Sequence, residues 1–135
     1  MGKIKKLLAE YFKTNRNVLA VYVFGSRANG KSRPDSDADV AIVLSKTAEK
    51  RSFDFQMKWK RELSCFFGKE IDLVILNEAD PFLKFQVYSK GILVTARDER
   101  LAEDLKWRAV KEYWDWIPCQ RILEASVMDR IKQYD

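Results

Sequence analysis

The sequence predicts an α+β domain: a mixed β-sheet with helices packed mainly on one face and a C-terminal helical tail. Three observations lead there. Short apolar runs of β-forming residues stand at 18–24, 37–44 and 71–76. Longer segments carry apolar residues at the 3–4 residue spacing of a helix. Gly, Pro and Asp punctuate the junctions. The 135 residues, 47% hydrophobic and 13% aromatic, suit a single core rather than two.

Each element has its own warrant. Ile4, Leu7, Leu8, Tyr11 and Phe12 make residues 3–14 an amphipathic helix. Val18 to Phe24 is a continuous apolar run and predicts a central strand; Asp37 to Leu44 predicts a second. A helix is expected over 48–67, with Phe53, Met57, Trp59, Leu63, Phe66 and Phe67 as core and Gly68 as its stop. Ile71 to Leu76 is the third strand. Asp80 and Pro81 form an N-cap and first-turn pair for a short helix through Phe82, Phe85 and Tyr88, ending before Gly91. Ile92 to Thr95 follows as a short strand. Asp98 caps a longer helix through Leu101, Leu105, Trp107, Val110, Trp114 and Ile117, which Pro118 is expected to interrupt before a final helix with Ile122, Leu123, Val127 and Ile131. The division is then a domain over 1–97 and a helical extension over 98–135, packing on that domain or on a partner. Trp107, Tyr113, Trp114 and Trp116 crowd into this extension, more aromatics than one stripe buries.

The chemistry concentrates in residues 25–39. Gly25 and Ser26 are followed, after ten residues, by Asp37-x-Asp39 at the head of the second strand. The glycine loop, Ser26 and the cations Arg27, Lys31 and Arg33 suit phosphate oxygens, and the aspartates are hard oxygen ligands for Mg²⁺. Side chains alternate along a strand, so Asp37 and Asp39 share a face with Cα atoms roughly 7 Å apart. Both can then reach two ions spaced about 3.5–4 Å. Asp72 interrupts an otherwise apolar strand and is the candidate third carboxylate, since burying it unpaired would be costly.

Gly-Ser, ten residues, then Asp-x-Asp resembles the signature of the minimal nucleotidyltransferases (MNT), antitoxins of the DNA polymerase β-like nucleotidyltransferase superfamily. The resemblance covers roughly residues 18–76. It implies a polymerase β-like fold, with Asp37 and Asp39 holding two Mg²⁺ ions, Asp72 positioning or deprotonating an acceptor hydroxyl, and Gly25-Ser26 gripping the β and γ phosphates. It further implies transfer of AMP from ATP to a tyrosine of a HEPN ribonuclease toxin, with which the chain would form a hetero-oligomer. Alternatives are an antitoxin acting by binding alone, or nucleotidyl transfer to a small molecule.

Two competing motifs fail on physical grounds. Gly25 to Ser32 satisfies Gly-x4-Gly-Lys-Ser, but a P-loop needs a helix starting at the Lys-Ser, whose N-terminus binds phosphate. Here Pro34 disfavours helical geometry at Arg33, and the strand begins at Asp37. Asp35, Asp37 and Asp39 mimic an EF-hand, yet Val40 and Lys46 occupy the positions that need Gly and Glu.

Composition bounds the rest. With no histidine, Ser-His-Asp and Cys-His catalysis and His-ligated metal are excluded, and the chain cannot itself be the HEPN ribonuclease, whose motif contains one. Cys65 and Cys119 have neither CxxC spacing nor histidine neighbours, so a reducing, cytoplasmic setting is expected. No run approaches the ~18 apolar residues of a membrane span. The net charge of +5 favours polyanions such as ATP. Nucleic acid is possible, but Lys3, Lys5, Lys6, Lys58, Lys60 and Arg61 fit solvated helix faces better.

Overall fold

The computed structural model describes residues 2–24 and 38–133. Helix α1, Gly2–Phe12, forms because Ile4, Leu8 and Phe12 recur every four residues and bury together. A turn closed by Asn15 leads into strand β1, Val18–Phe24. β1 pairs antiparallel with β2, Ala38–Leu44, placing Phe24 opposite Asp39 and Val23 opposite Val40. A 3₁₀ turn, Lys46–Arg51, feeds α2, Ser52–Phe67. Gly68 ends α2 at φ 68°, a left-handed cap that costs glycine little.

Strand β3, Ile71–Ile75, returns parallel to β2, and a second 3₁₀ turn covers Leu76–Glu78. Asp80 caps α3, Pro81–Lys90, by accepting from the Leu83 N–H at 2.7 Å. Strand β4, Ile92–Ala96, pairs antiparallel with the free edge of β1. The sheet order is β3-β2-β1-β4, a mixed sheet with β1 and β2 at its centre. Asp98 then caps α4, Glu99–Gln133, accepting from the Arg100 and Leu101 N–H groups.

The alternation of strand side chains divides the core in two. Val21, Val23, Val40, Ile42, Leu44 and Leu73 face α1 and α2, where Phe12 and Phe55 sit against Trp59 at ring distances of 5.3 and 4.8 Å. Ala20, Tyr22, Ala41 and Val43 face a smaller cluster built with Val87 and Tyr88 of α3 and Ala102 and Ala109 of α4. The fold is α+β with a mixed sheet, as the sequence predicts. The helices take both faces, with the larger cluster under α1 and α2.

Three details differ from the sequence reading. The helix expected from 48 begins as 3₁₀ and becomes α only at Ser52, which is buried and donates to Glu78. Within α2 the core stripe is Phe55, Trp59 and Leu63, spaced by four, while Phe53 and Met57 are exposed on the other side and Phe66 is exposed in the last turn. Pro118 lies inside α4, which runs unbroken for 35 residues. Proline's φ suits a helix; what it costs is the hydrogen bond to the Trp114 carbonyl and the crowding of that carbonyl by its ring, about 3 kcal/mol, which the rest of a 35-residue helix outweighs. Pro118 is exposed, so water can take that carbonyl. None of the described helices is long and apolar enough to cross a membrane.

Candidate active site

The end of β1 and the beginnings of β2 and β3 meet at one end of the sheet. Parallel pairing sets Asp39 directly beside Asp72, their Cα atoms being register partners on strands about 4.8 Å apart. Both side chains fall in the phase of Ala41 and Val43 rather than Val40 and Ile42, so they share the α3/α4 face. Asp39 is half-buried and Asp72 exposed; an open carboxylate avoids the burial cost that the apolar run around it suggests. Phe24, half-buried, completes the row across β1.

Phe24 and Asp39 pair across β1 and β2; residues 25–37 lie outside the described residues. With them lie Gly25, Ser26, Arg27, Lys31, Arg33 and Asp37. Among the described residues no group of three or more His, Cys, Asp or Glu side chains could hold a metal. Asp39 and Asp72 supply two carboxylates, the donor chemistry that Mg²⁺ prefers alongside phosphate oxygens.

Two side chains that sequence reasoning passed over hold β3 in this register. Gln56 of α2 donates to the Leu73 carbonyl at 2.8 Å, and the Ser64 hydroxyl accepts from the Ile71 N–H at 3.0 Å. They brace the backbone on either side of Asp72. Nothing short of the paired structure marks them, since a polar residue on an amphipathic helix ordinarily reads as surface. One rung further in, Tyr22 lies opposite Ala41 with its ring edge-on to Tyr88 at 5.3 Å. Burial, with nearby Glu103, pushes the Tyr22 phenol up to about 12, and burial raises Tyr88 too. Both remain neutral phenols within the α3/α4 cluster.

A mixed sheet carrying acidic residues in register on its β2 and β3 strands, with Gly25-Ser26 following β1 in the sequence, is the architecture of a nucleotidyltransferase. The family model described as "Polymerase beta, Nucleotidyltransferase" matches residues 6–100, and the chain belongs to that family. No curated protein matches it. Among solved structures it resembles a chain of a toxin-antitoxin complex with AMP-PNP, at TM-score 0.78 and 20% identity over 92% of this chain and 98% of that one. A MntA-HepT toxin-antitoxin structure matches at TM-score 0.74 and 18% identity, over 95% and 99%. A complex of a tri-AMPylated Shewanella oneidensis HEPN toxin with its MNT antitoxin matches at TM-score 0.72 and 18% identity, again over 95% and 99%.

Proposed function

We propose that the chain is an Mg²⁺-dependent nucleotidyltransferase antitoxin that moves AMP from ATP to a tyrosine hydroxyl of a HEPN-type ribonuclease toxin and so neutralises it, in the cytoplasm. The observation that carries this reading is the Asp39–Asp72 register at the sheet end where β1 leads into Gly25-Ser26. The family supports the chemistry, and the likeness to antitoxin chains, one with AMP-PNP and one beside an AMPylated toxin, supports ATP and the partner.

In this reading Asp37, Asp39 and Asp72 would hold two Mg²⁺ ions, which would supply charge neutralisation on the triphosphate and the leaving pyrophosphate. Gly25 and Ser26 grip the β and γ phosphates, with Arg27, Lys31 and Arg33 adding positive charge. The acceptor oxygen forms a bond to the α-phosphorus as the bond from that phosphorus to the bridging oxygen breaks. Pyrophosphate departs with the electron pair, and Asp72 orients the hydroxyl and takes its proton. Catalysis of this kind rests on positioning and electrostatics. Residues 1–97 do the chemistry and 98–135 form the helical extension.

The test is transfer of label from α-labelled ATP to the purified HEPN-type protein encoded beside this chain, with the acceptor located by mass spectrometry. Asp37→Asn and Asp39→Asn are expected to lose about a thousandfold or more, several kcal/mol of transition-state stabilisation at 1.36 kcal/mol per tenfold. Toxin neutralised equally well by both variants, without label, would instead establish an antitoxin that works by binding.

A further inference from the structure

A cavity of about 270 Å³ opens where the end of α1, the turn into β1 and the end of β4 meet. It lies at the end of the sheet opposite Asp39 and Asp72, beside Val18 rather than Phe24. Lys13, Arg16 and Arg97 line it, with the polar side chains of Thr14, Asn15 and Thr95 between them. Arg97 arrives from 81 residues beyond Arg16 and is fixed there, its guanidinium donating to the Arg16 carbonyl at 2.8 Å and its backbone N–H to the Leu19 carbonyl.

Three positive charges thus converge without a counter-charge. Among the described residues no carboxylate lines the cavity or forms an ion pair with Lys13, Arg16 or Arg97. Asp98, the next residue along, is turned to α4, where it accepts from the Arg100 and Leu101 N–H groups. The carbonyl end of α1 supplies only about half a negative charge. An anion seated between the three cations relieves their mutual repulsion. The donor set says which anion. Two guanidinium groups, an ammonium and two hydroxyls offer far more N–H and O–H donors than one carboxylate can accept. A nucleic-acid strand spreads its charge one phosphate at a time along its length. A chain of linked phosphates gathers several charges and many acceptor oxygens into one small space, where charge-assisted bonds from Arg are strong.

We propose that this cavity is a second phosphate site, which takes a compact oligophosphate: pyrophosphate or the phosphate chain of a nucleotide. It is separate from the Gly25-Ser26 loop and holds whichever acceptor the transferase uses. The ligand ties the α1–β1 turn to the junction of β4 and α4, so its binding stabilises the fold, and the attraction weakens as salt is raised.

The experiment is calorimetry on the full-length chain without divalent metal, with tripolyphosphate and pyrophosphate as probes. Replacing Lys13→Gln together with Arg16→Gln, both at exposed positions, is expected to weaken binding at this site about tenfold or more. The circular dichroism spectrum and the rate of labelled transfer from ATP stay those of wild type. Lys31→Gln with Arg33→Gln, which alters the cations assigned to ATP, leaves this site's affinity unchanged. Lys13→Arg with Arg16→Lys, which keeps both charges, retains binding, and a loss as large as that of the Gln pair would show that the residues shape the turn and overturn the proposal. So would a wild type that binds neither probe, or a Gln pair that binds as tightly as wild type. Single-stranded RNA bound more tightly than tripolyphosphate, and lost in the Gln pair, assigns the cations to a nucleic-acid strand instead. Polyglutamate bound as tightly as tripolyphosphate reduces the site to charge alone and likewise overturns it.

Discussion

Replacing Asp72 by Asn separates the cost of the site from its use. Asp39 and Asp72 sit side by side on adjacent parallel strands, so two like charges lie roughly 6 Å apart, a repulsion of about 0.7 kcal/mol at the dielectric of water and about 3 kcal/mol at an effective value of 20. Asp72 is exposed, which favours the lower figure. Without divalent metal, Asp72→Asn is therefore expected to stabilise the fold by about 1 kcal/mol, read as a higher urea midpoint at unchanged slope. With saturating Mg²⁺ and ATP the order reverses, because ligand that binds only the folded wild type adds stability while the variant gains little. Labelled transfer should fall about a thousandfold in the same variant. A metal-free Asp72→Asn protein less stable than wild type, or one that transfers at the wild-type rate, refutes the reasoning.

Other perturbations read other parts of the chain. Ser26→Ala should raise the ATP requirement and slow transfer, while Ser32→Ala should be mild; a more damaged Ser32 variant in an ATP titration would revive the P-loop. Gly91→Ala should destabilise by about 1–3 kcal/mol in urea melts, because its Cβ would stand 2.4 Å from the Val87 carbonyl oxygen, which already accepts from the Gly91 N–H. Tyr22, pushed up to about 12 by burial first and Glu103 second, favours folding in full below pH 10, and that contribution is lost as pH rises through about 12. Thermal midpoints should accordingly fall less steeply across that range in Tyr22→Phe than in wild type, and parallel curves would discount the phenol.

How far the sequence carried depended on what kind of information each feature needed. The strands were readable because β-branched and aromatic runs bounded by Gly, Asn and Asp admit few alternatives, and β1 matches its expected span to the residue. The face of α2 was not: Phe53 and Met57 are as apolar as Phe55 and Leu63, and only packing around Trp59, which meets Phe12 and Phe55, selects the second set. Pro118 misled because its local penalty of about 3 kcal/mol is set against a helix already anchored on its own domain through Ala102, Ala109 and Tyr113, which only the packed structure shows. At the site, alternation placed Asp39 on one face, and the solitary Asp72 marked a neighbouring strand. That the strands run parallel and in register follows only from α2 crossing between them, pinned by Gln56 and Ser64.

The pairing of Phe24 against Asp39 makes the two sides of Asp39 respond unequally to a change in chain length. Adding one residue to a thirteen-residue connection costs on the order of 0.1 kcal/mol in closure entropy, and the rungs from Asp39 to Leu44 keep their partners. Removing Val40, between Asp39 and Ala41, inverts the alternation instead, and the carboxylate swings from the α3/α4 face into the cluster of Ile42 and Trp59. Length variation in descendants of this sequence should therefore gather upstream of Asp39 and stop there.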